Sequence, residues 1–269
     1  MLITTNIGPI KVYEMGRGLA GGFLFPVYAY LVDGLLIDSG ATVVRSQFRK
    51  VLEREPVSVV VNTHSHEDHI GNNAMVAKLK GAQILAQASA LPILANPKLL
   101  KLRGYQRFAW GTPPPSIGTP VPPEVQTVEH VFQVIETPGH TPDHVCLFEP
   151  EQGWLFSGDL HVAELSLVYQ PYDHFHQILA SLKRLLPLDI HTIFDAHKGV
   201  IEDGPSALNA KVDFMETMEA NVMDLHEKGM PAKEISQAVL GKENFFAMIT
   251  GGHMSKLNGI MSILNETKE

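Results

Sequence analysis

Three histidines and an aspartate stand within six residues at His64-Ser65-His66-Glu67-Asp68-His69, and this run constrains the chain more than any other part of it. In an extended segment, residues two apart point to the same side, so His64 and His66 can grip one cation together. Asp68 and His69 are adjacent, diverge as the chain turns, and suit a second cation beside the first. Imidazole and carboxylate are ligands that divalent zinc accepts and that manganese or iron tolerates. A catalytic centre needs at least three protein donors for each ion, so further ligands have to come from elsewhere in the chain.

The run follows a short buried strand, Val57 to Val61, that leads straight through Asn62-Thr63 into His64. Upstream, Val27 to Val32 and Leu35 to Ile37 read as strands joined at Asp33-Gly34, a dipeptide of tight hairpin turns. Thr42 to Arg54 carries Val43, Val44, Phe48, Val51 and Leu52 at helical spacing. Downstream, Ile70 to Lys80 resumes helical periodicity, with Asp68 where an N-cap belongs. Val125 to Glu136, Val145 to Phe148, Trp154 to Phe156 and Ile190 to Phe194 read as strands, and Phe175 to Leu186 as a helix. This alternation favours a layered α/β design over an all-helical one. The proline-rich stretch from Leu91 to Pro123 predicts an irregular, stiff connection of the kind used as a lid or surface loop. Beyond Pro205 the pattern is helical, roughly Ser206 to Glu227, Ala232 to Leu240 and Met254 to Asn265. The expected division is a metal-binding domain over 1–204 and a C-terminal helical appendage over 205–269.

The later sequence offers further donors where strands end: His140 in Thr137-Pro138-Gly139-His140-Thr141, Asp159 in Ser157-Gly158-Asp159, and His197 in Asp195-Ala196-His197. Taken singly, each is equally a turn residue. His144 reads as a satisfied strand histidine, while His161, two residues past Asp159, could face the same pocket. Tyr169 and Tyr172 could donate to a developing oxyanion, with ordinary packing as the plainer reading. His174, His176 and His191 read as residues without a chemical role, and Cys146 as a small core hydrophobe. Met215, Met218, Met223 and Met230 have the spacing of a packed helical seam. Thr250-Gly251-Gly252-His253 interrupts the helical tail and could approach the cleft.

From about Ala29 to His197 the chain resembles the metallo-β-lactamase superfamily, within it the group typified by glyoxalase II. The resemblance implies a four-layer αββα sandwich and two divalent metal ions, zinc first with iron or manganese possible. It implies that His64, His66 and His140 hold one ion, that Asp68, His69 and His197 hold the other, and that Asp159 bridges both. Asp38, in Leu36-Ile37-Asp38-Ser39-Gly40, matches the aspartate of the family's early strand-end motif and is expected to orient a histidine or backbone groups without being a ligand. Two divalent ions with two carboxylates lower the pKa of a shared water toward neutrality and stabilise an oxyanion. Asp68 is the expected acceptor or guide of that water's proton. Class B β-lactamases typically carry cysteine where Asp159 stands, which argues against lactamase activity.

Several reactions fit one such centre. Hydrolysis of an ester-like acyl bond, a thioester or a lactone, is the leading expectation for a small-molecule substrate, although Leu160 to Tyr172 lacks the basic, glycine-rich stretch of glutathione-dependent members. Phosphodiester cleavage is the alternative, and Lys98, Lys101, Arg103 and Arg107 are the candidate basic cluster for it. The net charge of −8 disfavours nucleic acid, because phosphate backbones are held chiefly by Lys and Arg. A non-hydrolytic di-metal protein is the third reading. Cys146 is the only cysteine, which excludes an intramolecular disulfide and a cysteine metal cluster. The N-terminus has no signal-peptide pattern and no apolar run reaches membrane-spanning length, so a cytoplasmic protein is expected.

Overall fold

Alternating side chains divide each buried strand between two interfaces, and here the division builds four layers. The computed structural model describes residues 1–19, 22–162 and 168–266. Residues 163–167, within the Leu160 to Tyr172 stretch discussed above, lie outside the described residues.

The first sheet has the order β1 (Leu2–Ile7), β2 (Ile10–Leu19), β3 (Gly22–Val32), β4 (Leu35–Ile37), β5 (Val59–Val61), β6 (Gln83–Ala86) and β7 (Thr119–Pro120). It is antiparallel up to β4 and parallel from β4 onward. The second sheet contains β8 (Glu124–Gln126), β9 (Val131–Glu136), β10 (Val145–Glu149), β11 (Trp154–Gly158), β12 (Thr192–Asp195) and β13 (Gly199–Ile201), with only β11 and β12 parallel. The helices are α1 (Arg45–Leu52), α2 (Asn73–Lys80), α3 (Leu91–Ala95), α4 (Gly104–Ala109), α5 (Phe175–Leu185), α6 (Gly204–Glu227), α7 (Ala232–Leu240), α8 (Phe245–Ile249) and α9 (Lys256–Glu266).

Three apolar interfaces separate the layers. Leu35 and Ile37 of β4 join Val145, Leu147, Phe156 and Phe194 between the sheets. Leu36, facing the other way, packs with Phe48 and Leu52 of α1. On the far side, Cys146, Leu155 and Ile193 meet Leu182 of α5, Met215 of α6 and Ile260 of α9. This is the expected αββα sandwich. The last interface runs across position 204, because the C-terminal helices bury their apolar stripes against the second sheet and α5. Among the described residues no helix is long and apolar enough to cross a membrane.

Local structure departs from the sequence-based expectation in several places, β13 and α8 being two elements that the sequence left unassigned. Asp68 does not cap a helix: α2 starts at Asn73 behind Asn72, because 66–72 is a turn in which His69 N and Ile70 N both donate to His66 O. The strand expected over 125–136 is broken into β8 and β9 by a turn in which Thr127 N donates to His130 O. The stretch from Leu91 to Pro123 forms α3 and α4 and then adds β7 to the sheet edge. The N-terminal segment and Gln83–Ala86, with no assignment from the sequence, are strands; β1 is largely exposed, so pairing rather than pattern makes it one.

Candidate metal centre

Strand ends gather the donors. Parallel β4 and β5 place Asp38 beside the start of the histidine-rich loop, and parallel β11 and β12 place Asp159 and His197 on one rim. The loop after β9 supplies His140, tied to the rim by Val145 N donating to Thr63 O at 2.8 Å.

The seven expected donors form two abutting groups, His64, His66, His140 and Asp159 in one and Asp68, His69 and His197 in the other, each with ligand atoms within 4.8 Å of one another. His66 Nδ1 and His140 Nε2 are 3.0 Å apart. Asp159 Oδ2 lies 3.4 Å from His140 Nε2, 4.0 Å from His64 Nε2 and 3.2 Å from His197 Nε2, while Asp159 Oδ1 lies 3.2 Å from His69 Nε2. Asp68 reaches His69 Nε2 at 3.9 Å and His197 Nε2 at 3.8 Å. Donors about 2 Å from a tetrahedral zinc are about 3.3 Å from one another, so this spread fits such ions. His64 Nε2 is buried without a hydrogen-bond partner, and the buried His69 Nε2 and Asp159 Oδ1 face each other at 3.2 Å without the alignment of a hydrogen bond. Leaving such atoms unpaired is costly, which makes them the donors that a cation would satisfy.

The opposite nitrogens are held by the protein. Asp38 Oδ2 takes His69 Nδ1 at 2.7 Å, Asp173 Oδ1 takes His140 Nδ1 at 3.1 Å, and the Pro26 carbonyl takes His197 Nδ1 at 2.8 Å. His64 Nδ1 lies 3.1 Å from Thr63 Oγ1. Such contacts fix ring orientation and direct the other nitrogen inward. Burial and the neighbouring histidines push His64 and His66 well below the ordinary histidine range, favouring the neutral form that a ligand needs. For His69, burial acts downward too, but Asp38, Asp159 and Asp68 raise it well above that range.

Asp38 holds His69 and backbone together, since its carboxylate also accepts from Thr63 N at 2.8 Å and Thr63 Oγ1 at 2.8 Å. His144 is buried behind the centre, where its Nε2 accepts from Asp159 N at 3.1 Å and its Nδ1 lies 2.8 Å from Thr137 Oγ1. His161 is directed away from the donors: its Nε2 donates to Ala207 O at 3.3 Å and its Nδ1 faces Asp195 at 3.5 Å. Tyr172 Oη lies 3.3 Å from His66 Nε2 at the rim. His253 is reached from the cleft through Tyr105, whose Oη is 2.7 Å from its Nδ1. Tyr169 is buried on the wall, bridged to Ser255.

Asp173 and the Pro26 carbonyl were not anticipated. No local motif marks Asp173, and a carbonyl has no residue signature at all. The sequence also left unmarked a cavity of about 460 Å³ that opens from the donors. Its far wall includes Tyr105 and Trp110 of the 91–123 stretch, Phe246 of α8 and Met215 of α6.

A family model described as the metallo-beta-lactamase superfamily matches residues 22–197. The Beta-lactamase-like protein 2 homolog of Drosophila melanogaster is 26% identical over 249 residues, which covers 83% of this chain and 77% of that protein. A hydroxyacylglutathione hydrolase of Polaromonas sp. is 36% identical over 104 residues, covering 38% of this chain and 33% of that enzyme. An atrochrysone carboxyl ACP thioesterase of Aspergillus fumigatus is 26% identical over 196 residues, 71% of this chain and 55% of that protein. The chain thus spans about a third to a half of the two enzymes' length. In fold, it is similar to a metallo-beta-lactamase family protein from Thermus thermophilus, with a TM-score of 0.67 at 18% identity, over 96% of this chain and 94% of the other.

Proposed function

The chain belongs to the metallo-beta-lactamase superfamily, and on that premise we propose that it hydrolyses an ester-like acyl bond, a thioester or a lactone, with two divalent metal ions, zinc first and iron or manganese as substitutes. The observation that carries this reading is the abutting of the two donor groups, with one Asp159 oxygen toward His140 and the other toward His69. His64, His66 and His140 would hold one ion, Asp68, His69 and His197 the other, and Asp159 both. When bound, such a pair supplies a water acidic enough to attack at neutral pH and polarises the carbonyl.

The chain's own side chains orient and dispose of charge. Asp38, Asp173 and the Pro26 carbonyl fix the tautomers and ring planes of His69, His140 and His197. Asp68 offers one oxygen toward His69 and the other toward His197. That position suits a carboxylate that guides or accepts the proton of the attacking water. His144 fixes the backbone of Asp159. The apolar far wall limits water around the reacting carbonyl.

Phosphodiester cleavage needs a basic track. Among the described residues lining the cavity the lysines and arginines are Lys198 and Lys211, and none of Lys98, Lys101, Arg103 and Arg107 is among them. A small molecule, handled in the cytoplasm, is therefore the substrate we favour.

The test is to purify the protein with its native metal, count the ions, and assay thioesters, lactones and phosphodiesters with His66→Ala as control. Two ions per chain and acyl hydrolysis lost in the variant is the expected result. Activity on phosphodiesters alone sinks the acyl reading, and equal activity of both proteins removes the centre from the chemistry.

A further inference from the structure

Among the described residues, the cavity beside the donors is lined by many apolar side chains, with Glu67, Gln106, Gln170, Asn244 and Lys211 also in its wall. Phe246 is 39% exposed and Met215 fully buried, so the lining reaches from the surface to the core. Leu160 and Ile178, both buried, complete the inner wall. The Phe25 ring lies 5.5 Å from Trp110 and 5.2 Å from Phe246 between centroids.

This aromatic cluster is built into the strand that orients a donor. Four residues of β3, Leu24 to Val27, span the register that three residues of β2, Met15 to Arg17, span, and Phe25 sits there at φ +49°. A left-handed backbone is unusual for a bulky aromatic residue, and such outliers persist where the surroundings hold them. Here Phe25 O accepts from Trp110 Nε1 at 3.0 Å, while the next carbonyl, of Pro26, takes His197 Nδ1. With its N–H satisfied, Trp110 presents an apolar ring to the cavity. Lys211, buried on α6, also lines the cavity; burial lowers its pKa to about 7 against the opposing pull of Asp195 and Asp173.

We propose that this cavity receives the acyl portion of the substrate, and that the substrates are thioesters or esters of apolar acyl groups, selected by the side chains of Met215, Ile178, Phe25, Trp110 and Phe246. The assignment rests on the acyl-hydrolase reading above. A volume of about 460 Å³ is in the range of small-molecule sites, which are mostly apolar with few polar groups. The buried apolar side chains, Met215, Ile178 and Leu160, suit the terminal apolar part of an acyl chain. Each methylene buried there strengthens binding by up to about fourfold.

The test separates binding from turnover. Straight-chain carboxylates from acetate to octanoate are titrated into the metal-loaded protein by calorimetry, with Trp110 fluorescence, read in a Trp154→Phe background, reporting the location. The head group is constant, so only the chain is read. Affinity should rise about tenfold or more from acetate to octanoate, and Phe246→Ser, a change at an exposed position, should reduce that ratio at least threefold. Affinity that ignores chain length overturns the proposal, as does a ratio unchanged in both Phe246→Ser and Met215→Trp. Hydrolysis of N-acetylcysteamine thioesters of the same chain lengths is measured in parallel, and kcat/KM should follow the affinity series. No hydrolysis at any length by protein with both ions bound overturns the acyl-hydrolase reading, while the affinity series still decides what the cavity holds.

Discussion

Asp38 Oδ2 lies 2.7 Å from His69 Nδ1, a contact across 31 residues that ties the end of β4 to the last histidine of the ligand loop. Asp38 reaches it from a left-handed backbone, φ +59°, and the same carboxylate receives both the N–H and the hydroxyl of Thr63. One buried side chain therefore sets the aim of His69 and the path of the backbone into His64.

Asp38→Asn tests this directly. Asn tolerates the left-handed conformation, so the change removes the charge with little added strain. Metal affinity should fall by about 10- to 100-fold, read by competition with a chromophoric chelator. Unchanged affinity would show that His69 is aimed without Asp38.

Removing metal should destabilise the fold, because the buried His64 Nε2 has no hydrogen-bond partner and the buried His69 Nε2 and Asp159 Oδ1 face each other without the alignment of one. An ion present at a thousand times its Kd stabilises by about 4 kcal/mol, or about 10 °C in Tm for a domain of this size. Calorimetry before and after exhaustive chelation, then after zinc is restored, checks it. A Tm indifferent to chelation would contradict a metal role for these atoms.

Gly158→Ala should damage the centre from behind. Gly158 has φ +51°, and a Cβ there would lie 2.6 Å from His144 Nε2 and 2.9 Å from Thr63 Oγ1. The left-handed backbone alone costs about 1–2 kcal/mol, and the clash displaces the histidine that holds Asp159 N. Urea unfolding should show at least that loss, with metal content reduced in the protein that remains folded.

Cys146 should be inert until the protein unfolds. It is fully buried, and burial pushes its thiol from 9.0 up to about 12. Three units leave the native protein about a thousandfold less thiolate than the unfolded chain. The sign follows from proton binding: between pH 9 and 12 the folded state keeps a proton that the unfolded state loses. Stability from this group is full below about pH 9 and is lost as pH rises toward 12. Reaction with a disulfide reagent should track unfolding in urea, and rapid reaction of the native protein would refute it.

The candidate donors that the structure brings together were legible in the sequence because their chemistry is carried by side-chain type and by position at strand ends. Three histidines and an aspartate in six residues admit few other roles, and the Gly-His, Gly-Asp and Ala-His strand ends completed the set. The β4 hairpin, α1, α5 and the α6 and α7 segments were legible for a related reason: their apolar residues recur with the period of the element and so name the buried face.

What only the tertiary structure decided depends on pairing and packing between distant segments. β1 carries no buried stripe and is a strand because β2 offers it a ladder. Asp68 looked like a cap until the turn at 66–72 aimed it at His197 instead. Asp173 and the Pro26 carbonyl became partners of His140 and His197 through long-range approach, which leaves no periodic trace in sequence. The cavity is the furthest case, since Phe25, Trp110, Met215 and Phe246 come from four separate elements. Local pattern reports which face of an element is apolar, while the shape of a space between elements exists only once they pack.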